Sequence, residues 1–289
     1  MQYSITAIIL TKNEERMLSA CLQSLQWCDH ILVVDGGSTD RTVALAEAAG
    51  AKVVHISHPS FAYRRTEALK AVSTDWVVYI DADERVTPTL AKELCVQIET
   101  SDATALRIRR ENVCYGAVFA HGGWEADYVT RAFLRTSLSH WEGDIHESPV
   151  YTGTVITVKT PLVHHTHRST AEGLQKSAVW TLQEALLLAK ANTPPVTFVT
   201  LIRKGVMEFI RRALLQRGYR DGMPGLIEAV VQGINRVLVY VQVWELQQHP
   251  LLNDQYQKRD ADIQALWKAE QELNSVDNGG KKQQTDSTA

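Results

Sequence analysis

Short apolar runs alternate with amphipathic stretches over the first third of the chain. The runs are rich in β-branched residues and predict strands at Ile5–Leu10, His30–Val34, Lys52–His55 and Trp76–Ile80. Apolar residues at helical spacing between them predict helices around Arg16–Leu25, Thr42–Ala49 and Arg65–Val72. Strands that alternate with helices form a parallel sheet, and strands without a polar face suit a sheet covered on both sides. The pattern therefore predicts an α/β domain with a mostly parallel sheet and helices on both faces.

The remainder of the chain changes character twice. Short β-like runs occur between Gly- and Trp-containing loops, at Ala105–Arg109, Tyr128–Leu134 and Thr154–Val158. From Thr170 to about Leu273 the pattern is helical, and the polar stretch Asn274–Ala289 is typical of a disordered tail. We therefore predict a domain at residues 1–168 that divides near residue 102, a helical extension at 169–273 and a disordered tail at 274–289.

Polar clusters follow three of the predicted strands. They are Thr11-Lys12-Asn13-Glu14-Glu15, Asp35-Gly36-Gly37-Ser38-Thr39-Asp40 and Asp81-Ala82-Asp83-Glu84. Each cluster alone also fits a plain helix start, a capped turn or an acidic turn. Together they lie at the carboxyl edge of one sheet, which is where ligands of open α/β sheets bind. The set favours nucleotide binding, with Asp35 available to accept from a base N–H or a ribose hydroxyl.

Asp81 and Asp83 have the spacing of a cation site. Residues two apart in an extended chain project to the same side, so both carboxylates are expected to face one hard divalent cation, Mn²⁺ or Mg²⁺. Such an ion neutralises a diphosphate leaving group. The alternative for this pair is an ordinary acidic turn at the end of a strand.

Charge and composition narrow the class of function. The 289 residues carry a formal net charge of −3, so no global basic field indicates nucleic acid as a partner. The four cysteines are scattered and no secretory signal precedes them, which is typical of reduced thiols in a cytoplasmic protein. No apolar run approaches the length of a membrane span, which argues against a spanning helix but not against peripheral membrane contact.

The three clusters also resemble those of family 2 glycosyltransferases with the GT-A fold, in the branch that includes lipopolysaccharide-core glucosyltransferases. The resemblance spans about residues 3 to 250. Its later motifs are Gly122-Gly123-Trp124-x-x-Asp127-x-x-x-Arg131, Ile145-His146-Glu147, Leu162-Val163-His164 and Gly218-Tyr219-Arg220-Asp221-Gly222. The chain differs after Phe61, where the branch commonly has Gln-Arg-Asn and this chain has Arg64-Arg65-Thr66. The amide is lost there, so the donor preference of the branch transfers less directly.

The resemblance implies a hexosyltransferase of cell-envelope polysaccharide or lipopolysaccharide synthesis that uses a nucleotide-sugar donor, usually a UDP-sugar. Residues 1–102 become the donor-binding half and residues 103–168 the acceptor half. The residues implied in donor binding are Thr11, Asn13, Glu14, Asp35, Arg65, Asp81, Asp83 and Arg131. The implied metal ligands are Asp81, Asp83 and His164, whereas neighbouring His165 and His167 are weaker candidates.

An inverting enzyme of this kind needs a carboxylate that takes the proton of the acceptor hydroxyl. Glu147 and Asp127 compete for this role, and we favour Glu147. For Asp127 the alternative is a helical ion pair with Arg131 at i,i+4, although Tyr128–Leu134 has the pattern of a strand. Trp124 is a candidate for stacking on an acceptor sugar, and otherwise a core residue.

The helical region contains a basic amphipathic segment, Val196–Arg217, and a second apolar helix at about Leu226–Leu246. Its apolar face is Phe198, Val199, Ile202, Val206, Phe209 and Ile210, and Lys204 and Arg211 lie opposite, with Arg203 and Arg212 at the flanks. One interpretation is a platform on the inner face of the cytoplasmic membrane that meets a lipid-linked acceptor. The other is packing within the chain.

Two other functions compete with sugar transfer. A nucleotidyltransferase also uses an α/β sheet and paired carboxylates, but it would need a Gly- and Lys/Arg-rich loop after the first strand, and Thr11–Glu15 has no such composition. A non-catalytic nucleotide-sugar-binding membrane scaffold would tolerate loss of the paired carboxylates, and here Asp81 and Asp83 are both present.

Overall fold

The computed structural model describes residues 2–143 and 147–283. The first part of the chain forms β1 (Ile5–Thr11), α1 (Leu18–Gln23), β2 (His30–Asp35), α2 (Thr42–Ala48), β3 (Lys52–His55), α3 (Phe61–Lys70) and β4 (Trp76–Asp81). The four strands are parallel and lie in the order β3-β2-β1-β4. The predicted strands are confirmed, each within one residue of its predicted end.

Both faces of this parallel sheet are covered. Along β1, Ile5, Ala7 and Ile9 pack into one apolar cluster, whereas Ile8 and Leu10 pack into a second. All seven residues of β1 are buried. Strands in this position have no solvated face, which is why the sequence shows continuous apolar runs instead of alternation.

The next part of the chain extends the sheet with mixed pairing. It contains β5 (Glu84–Arg85), α4 (Pro88–Thr100), β6 (Ala105–Cys114), β7 (Ala117–Val118), β8 (Tyr128–Leu134), β9 (Leu138–Glu142), β10 (Ser148–Tyr151), β11 (Val155–Thr157) and β12 (Leu162–His165). Strand β8 runs antiparallel between β4 and β6. Strand β12 pairs in parallel with β6 and antiparallel with β5. Because β8 is extended, the helical Asp127–Arg131 pair does not form.

The last part is helical, as predicted. It consists of α5 (Thr170–Lys190), α6 (Phe198–Ile210), a π-helical turn at Arg211–Leu215, a 3₁₀ turn at Gly218–Asp221, α7 (Gly222–Leu246) and α8 (Leu252–Gln283). The sequence predicts disorder from residue 274, but α8 continues to Gln283. Polarity alone does not prevent a helix, because Glu, Gln and Lys are good helix formers. Residues 284–289 lie outside the described residues.

The chain divides into two compact units. One comprises Met1–Ser177 and Met207–Gln232, and the other comprises Ala178–Val206 and Gly233–Ala289. The structure thus groups the helical segments differently from the boundary predicted at residue 168. The apolar core of the second unit contains Ala185, Val196, Val239, Tyr240 and Val243.

The segment Gly218–Leu246 is long and apolar enough to cross a membrane, by length and composition. The sequence reading missed it because polar residues such as Glu228 and Arg236 interrupt the apolar run. A third of its most apolar stretch is buried within the chain. Core helices of water-soluble proteins meet the same criterion, so it assigns no location.

Helix α6 turns its apolar side outward. Phe198 is 76% exposed and Val199 is 72% exposed. On the other side, Lys204 Nζ lies 4.8 Å from the centroid of the Tyr240 ring, and Gly205 packs against Val237. Among the described residues, the apolar side of α6 is thus largely exposed, although Phe209 is partly buried.

The basic residues of the same segment are partly neutralised inside the chain. Arg211 Nε and Arg212 Nε donate to the carboxylate of Glu208 at 3.0 and 2.7 Å. Arg212 Nη1 also donates to the Gly122 carbonyl at 3.1 Å. These cations are less available to a charged surface than the helical pattern of the sequence suggests.

Candidate active site

Two loops meet where β1 and β2 end. The parallel register places Thr11 opposite Asp35, so the segments that follow both strands start side by side. Asn13, at a positive φ of 58°, donates its N–H to Ser38 Oγ at 2.9 Å and accepts the Thr39 N–H at 2.8 Å. Thr11 itself is buried. Thr11 and Asn13 thus hold the two loops together, and their predicted contacts with the donor stay predictions.

Asp35 accepts hydrogen bonds from its own turn. Its carboxylate receives the N–H groups of Gly37 and Ser38 at 3.0 Å each, together with the Ser38 hydroxyl, and His55 Nδ1 lies 3.3 Å away. Burial by itself would raise the pKa of Asp35, but these hydrogen bonds lower it below its usual value. Asp35 is therefore an ionised residue that shapes its turn, and its contact with the nucleoside stays a prediction.

Gly36 allows Arg64 to approach the carboxyl edge of the sheet. A Cβ atom at residue 36 would lie 2.4 Å from Arg64 Nη1 and 3.3 Å from the Thr11 carbonyl oxygen. Arg64 is buried, and its guanidinium carbon lies 4.4 Å from the centroid of the Phe61 ring. Arg64, one of the residues at which this chain differs from the resembling branch, therefore lies beside the turn of Asp35.

Asp81 ends β4 with both carboxylate oxygens occupied. Arg65 Nη2 donates to Oδ1 at 2.9 Å, and Arg131 Nη2 donates to Oδ2. Arg131 also donates to the fully buried Glu84 at 2.7 Å, and the Asp81 N–H donates to Glu84 Oε2 at 2.9 Å. Two arginines, one from α3 and one from β8, thus hold both oxygens of Asp81. A cation shared by Asp81 and Asp83 stays a prediction.

Charge compensation sets the protonation states of this network. Burial would raise the pKa of Asp81, but Arg131 and Arg65 hold it far below the usual range. The pKa of Glu84 is raised, because burial outweighs the charge of Arg131. Although burial opposes it, the charges of Asp81 and Glu84 raise the pKa of Arg131. The network keeps Arg131 charged and Asp81 ionised.

Asp83 and His164 face each other at the next position along this edge. Strand pairing places His164 opposite Glu84, and the His165 N–H donates to the Asp83 carbonyl at 2.8 Å. His164 Nε2 lies 3.7 Å from Asp83 Oδ2. That distance is too long for a hydrogen bond, but two metal–ligand bonds of about 2.1 Å each are long enough to span it.

The pair therefore fits a divalent ion held by one carboxylate oxygen and one imidazole nitrogen. Within residues 2–143 and 147–283, no group of three or more His, Cys, Asp and Glu is arranged around a metal position. An ion at Asp83 and His164 would have to take its remaining ligands from phosphate oxygens and water, which is usual for Mg²⁺ and its relatives at phosphate sites.

Glu14 lies within electrostatic reach of this pair. Burial and the charge of Asp83 raise the pKa of Glu14, while the charges of Arg168 and Lys176 lower it. Arg168 Nε donates to Glu172 Oε2 at 2.9 Å. Sequence reasoning missed Arg168 and Lys176, because nothing in their spacing along the chain relates them to Glu14 or Asp83. Both cations interact electrostatically with Glu14, and Lys176 also interacts with Asp83.

Asp127 is fully engaged by its neighbours. Arg110 Nε and Nη2 donate to its two oxygens at 2.9 and 2.8 Å, and Asn112 Nδ2 donates to Oδ2 at 2.9 Å. Burial would raise the pKa of Asp127, but the hydrogen bonds and charge of Arg110 lower it. Asp127 is thus poorly suited to accept a proton. The structure brings Arg110 and Asn112 into the site, and neither stands out in the sequence.

Glu147 has a looser environment. Its Oε1 lies 3.5 Å from Arg65 Nη2, the atom that also binds Asp81, and its side chain is 22% exposed. The guanidinium of Arg65 stacks on the Trp141 ring at 4.8 Å. Ile145 and His146, the other residues of the predicted motif, lie outside the described residues. The structure thus brings Glu147 and Asp81 to the same arginine.

Four guanidinium nitrogens at this edge are buried and have no hydrogen-bond partner among the described residues: Arg64 Nε, Arg65 Nε, Arg65 Nη1 and Arg131 Nε. Buried donors of this kind are normally satisfied. The excess of positive donors is consistent with a site that receives an anionic ligand.

Trp124 lies in a loop that is tied to the segment after α6. Gly122 donates its N–H to the Gln216 carbonyl at 2.8 Å. Asp221 accepts the His121 N–H at 2.8 Å and lies equally close to His121 Nδ1. Two motifs that are distant in sequence, at residues 122–131 and 218–222, are therefore joined in space.

Trp124 itself is half-buried and packs edge-on against the rings of Phe119 and His167. His167 Nδ1 lies 2.8 Å from the buried carboxylate of Glu228. The ring of Trp124 thus has a fixed orientation. Its contact with an acceptor sugar stays a prediction.

Comparison with known proteins shows which proteins this chain is similar to. The family model described as glycosyl transferase family 2 matches residues 6–145. The lipopolysaccharide core biosynthesis glycosyltransferase LpsC of Rhizobium meliloti is 28% identical over 83% of this chain and 92% of its own length. A TPR repeat-containing protein of Synechococcus elongatus is 34% identical, but the match covers 39% of this chain and 29% of that protein.

Among solved structures, glucosyl-3-phosphoglycerate synthase from Mycobacterium tuberculosis, in complex with Mn²⁺, UDP and glucosyl-3-phosphoglycerate, is 27% identical to this chain. The match covers 38% of this chain and 44% of the synthase, with a TM-score of 0.34.

Proposed function

We propose that this chain transfers a sugar from a UDP-sugar to a lipid-linked glycan acceptor and that the reaction needs Mn²⁺ or Mg²⁺. The proposal starts from the match of residues 6–145 to the model of family 2 glycosyltransferases. The observation that carries the proposal is the Asp83–His164 pair, 3.7 Å apart at the carboxyl edge of the sheet. This edge is the usual ligand site of open α/β sheets. The relative named for lipopolysaccharide core biosynthesis supports the same class of acceptor.

On the donor side, Asp83 and His164 would hold the ion, whose chemistry is to neutralise negative charge that develops on the diphosphate leaving group. Arg168 and Lys176 interact electrostatically with Asp83 or its neighbour Glu14, and so they can add positive charge on the same side. The unpartnered donors of Arg65 and Arg131 supply further hydrogen bonds to phosphate or ribose oxygens. Fixed cations in a partly dry site stabilise such charge more than water does.

On the acceptor side, we assign the base to Glu147. Asp127 is the weaker candidate, because Arg110 and Asn112 donate to both of its oxygens and its pKa is lowered. Glu147 meets Arg65 at 3.5 Å, and its side chain is 22% exposed. Arg65 can hold Glu147 in place, while a free oxygen accepts the proton of the acceptor hydroxyl. This one-step displacement would invert the anomeric centre.

The acceptor end of the proposal also depends on α6. Its exposed apolar side includes Phe198, Val199, Ile202 and Val206. Contiguous exposed apolar surface of this kind marks a binding face. We therefore propose peripheral attachment to the inner face of the cytoplasmic membrane, where a lipid-linked acceptor would be reached. Because Arg211 and Arg212 pair with Glu208, apolar burial should contribute more to binding than charge.

The donor and the metal are tested together by thermal denaturation. A panel of nucleotide-sugars, each with Mn²⁺, Mg²⁺ or EDTA, should show a UDP-sugar that raises the melting temperature only with the metal. Transfer of sugar from that donor to a lipid-linked acceptor extract then tests turnover. Stabilisation by a nucleoside triphosphate, with none by any nucleotide-sugar, would instead indicate a nucleotidyltransferase.

Membrane attachment is tested by liposome flotation. The chain should float with neutral and with anionic vesicles, and salt should weaken binding only slightly, since screened charges contribute little. Replacing Phe198 and Val199 with Ser should abolish flotation, whereas replacing Arg211 with Gln, a matched change on the opposite side of the segment, should leave it. Absence of the wild-type protein from both lipid fractions would refute the attachment.

A further inference from the structure

A chain of polar contacts joins Asp127 to His164 through one buried amide. Asn112 is fully buried in β6. Its Nδ2 lies 2.9 Å from Asp127 Oδ2, and its Oδ1 lies 2.6 Å from His164 Nδ1. Arg110 donates to both oxygens of Asp127 from the other side. None of these contacts follows from the spacing of the residues in the sequence.

The chemistry of the three groups fixes the direction of each hydrogen bond. An ionised carboxylate such as Asp127 only accepts hydrogen bonds, so Asn112 must turn its N–H₂ group toward it. The amide oxygen of Asn112 then faces His164, and because that oxygen also only accepts, His164 Nδ1 must carry a hydrogen. In the neutral ring, the lone pair is left on Nε2. Nε2 is the nitrogen that faces Asp83.

We infer that Asn112, oriented by Asp127, is a positioning residue that fixes His164 as the Nδ1–H tautomer and presents the Nε2 lone pair to an ion bound at Asp83. The inference rests on the proposed metal-dependent function. It gives Asp127 a role other than that of the base. The second nitrogen of a metal-binding histidine is normally held by such an outer partner, which fixes the tautomer and the ring orientation.

The tautomer can be measured on the metal-free protein by ¹⁵N NMR of the histidine rings at a pH at which the rings are neutral, with the signals assigned by a His164→Gln variant. His164 should show a protonated Nδ1 and an unprotonated Nε2. His167 is a matched reference, because its Nδ1 contacts the carboxylate of Glu228 in an arrangement that does not involve Asn112. If His164 is found as the Nε2–H tautomer in the wild type, the inference is wrong.

Asp127→Ala provides the sharper test. It removes the acceptor that orients Asn112, so both orientations of the amide, and with them both tautomers of His164, become accessible while His167 stays unchanged. Mn²⁺ affinity, measured by calorimetry, should fall although Asp127 touches no metal. Asn112→Leu, which removes the amide, should lower it about 10- to 100-fold.

The outcomes separate this inference from the proposed function. An Asp127→Ala variant that keeps the wild-type tautomer and Mn²⁺ affinity would overturn the inference. If the tautomer responds as expected but His164→Gln binds Mn²⁺ as tightly as the wild type, Asp127 and Asn112 orient a histidine that is not a metal ligand. In that case the assignment of His164 as a metal ligand fails, and with it the inferred purpose of these contacts.

Discussion

Asp81 and Asp83 stand two residues apart at the end of one strand, but their surroundings differ. Arg65 donates to one oxygen of Asp81 and Arg131 donates to the other, so both oxygens are hydrogen-bonded within the protein. Asp83 faces His164 across 3.7 Å, a gap suited to a bound ion. The same residue type at two positions of one motif therefore has two different surroundings, which are set by neighbours from α3, β8 and β12.

The two candidate bases show the same contrast. Asp127 is held by Arg110 and Asn112 at 2.8 to 2.9 Å, whereas Glu147 meets Arg65 at the longer distance of 3.5 Å. A carboxylate that the chain's own donors already occupy is stabilised as an anion and is a poor proton acceptor. Saturation by hydrogen-bond donors of the chain, more than residue type or motif, therefore distinguishes structural acids from acids that are open to a ligand.

The sequence predicts the parallel half of the fold well because its strands are buried on both faces, which leaves continuous apolar runs. It also predicts which loops share the carboxyl edge of the sheet. It does not predict the partners of each carboxylate, because Arg131 comes from a strand about fifty residues away from Asp81. Arg110, Asn112 and Arg168 were not found for the same reason. Spacing along the chain describes local geometry, whereas ion pairing depends on long-range contacts.

The largest effect is expected on turnover when Glu147, the candidate base that fewer donors of the chain hold, is replaced. Glu147→Gln keeps the shape of the side chain but cannot accept a proton, so turnover should fall roughly 10²- to 10⁴-fold. Affinity for the donor, measured by calorimetry, should stay within a factor of about two, since the change removes no phosphate ligand. Asp127→Asn is the matched control. At saturating Mn²⁺ it should recover most of the turnover, and a dead Asp127→Asn beside an active Glu147→Gln would exchange the two roles.

Metal binding should separate Asp83 from Asp81. Asp83→Asn replaces an anionic oxygen ligand with a neutral one, so the Mn²⁺ affinity should fall by more than about tenfold. Loss of an outer partner alone lowers metal affinity about 10- to 100-fold, and loss of a direct ligand should exceed the lower end of that range. UDP binding in the presence of Mn²⁺ should weaken in parallel, while UDP binding in EDTA should not change. If calorimetry gives Asp83→Asn the Mn²⁺ affinity of the wild type, Asp83 is an occupied acid like Asp81, and the contrast between them disappears.

The free energy of unfolding should depend more on Asp81 than on Asp83, which is the reverse of the order expected for metal binding. Asp81→Asn leaves Arg65 and Arg131 with an uncompensated buried charge, a change that costs 3–5 kcal/mol at fully buried pairs. Because the Asp81 side chain is 30% exposed and Glu84 still pairs with Arg131, we expect about 2 kcal/mol of lost unfolding free energy. Urea denaturation measures this loss, with Asp83→Asn as the matched control that should change stability by less than about 0.5 kcal/mol. Equal losses in both variants would contradict the assignment of Asp81 as the structural member.

The smallest effect concerns Asp35, which belongs with the occupied acids. Its folded pKa is lowered, since the hydrogen bonds of its turn outweigh the effect of burial. A group of this kind contributes stability at a pH above its unfolded pKa of about 3.9, and the contribution is lost as the pH falls through the lower folded pKa. Asp35→Asn should therefore be less stable than the wild type by about 1 kcal/mol near pH 7, and the difference should narrow below about pH 4. Urea denaturation at several pH values measures the difference between the two proteins, which cancels the contributions of the other carboxylates. A difference that stays constant down to pH 3, or that widens as the pH falls, would show that the turn does not hold Asp35 as an anion.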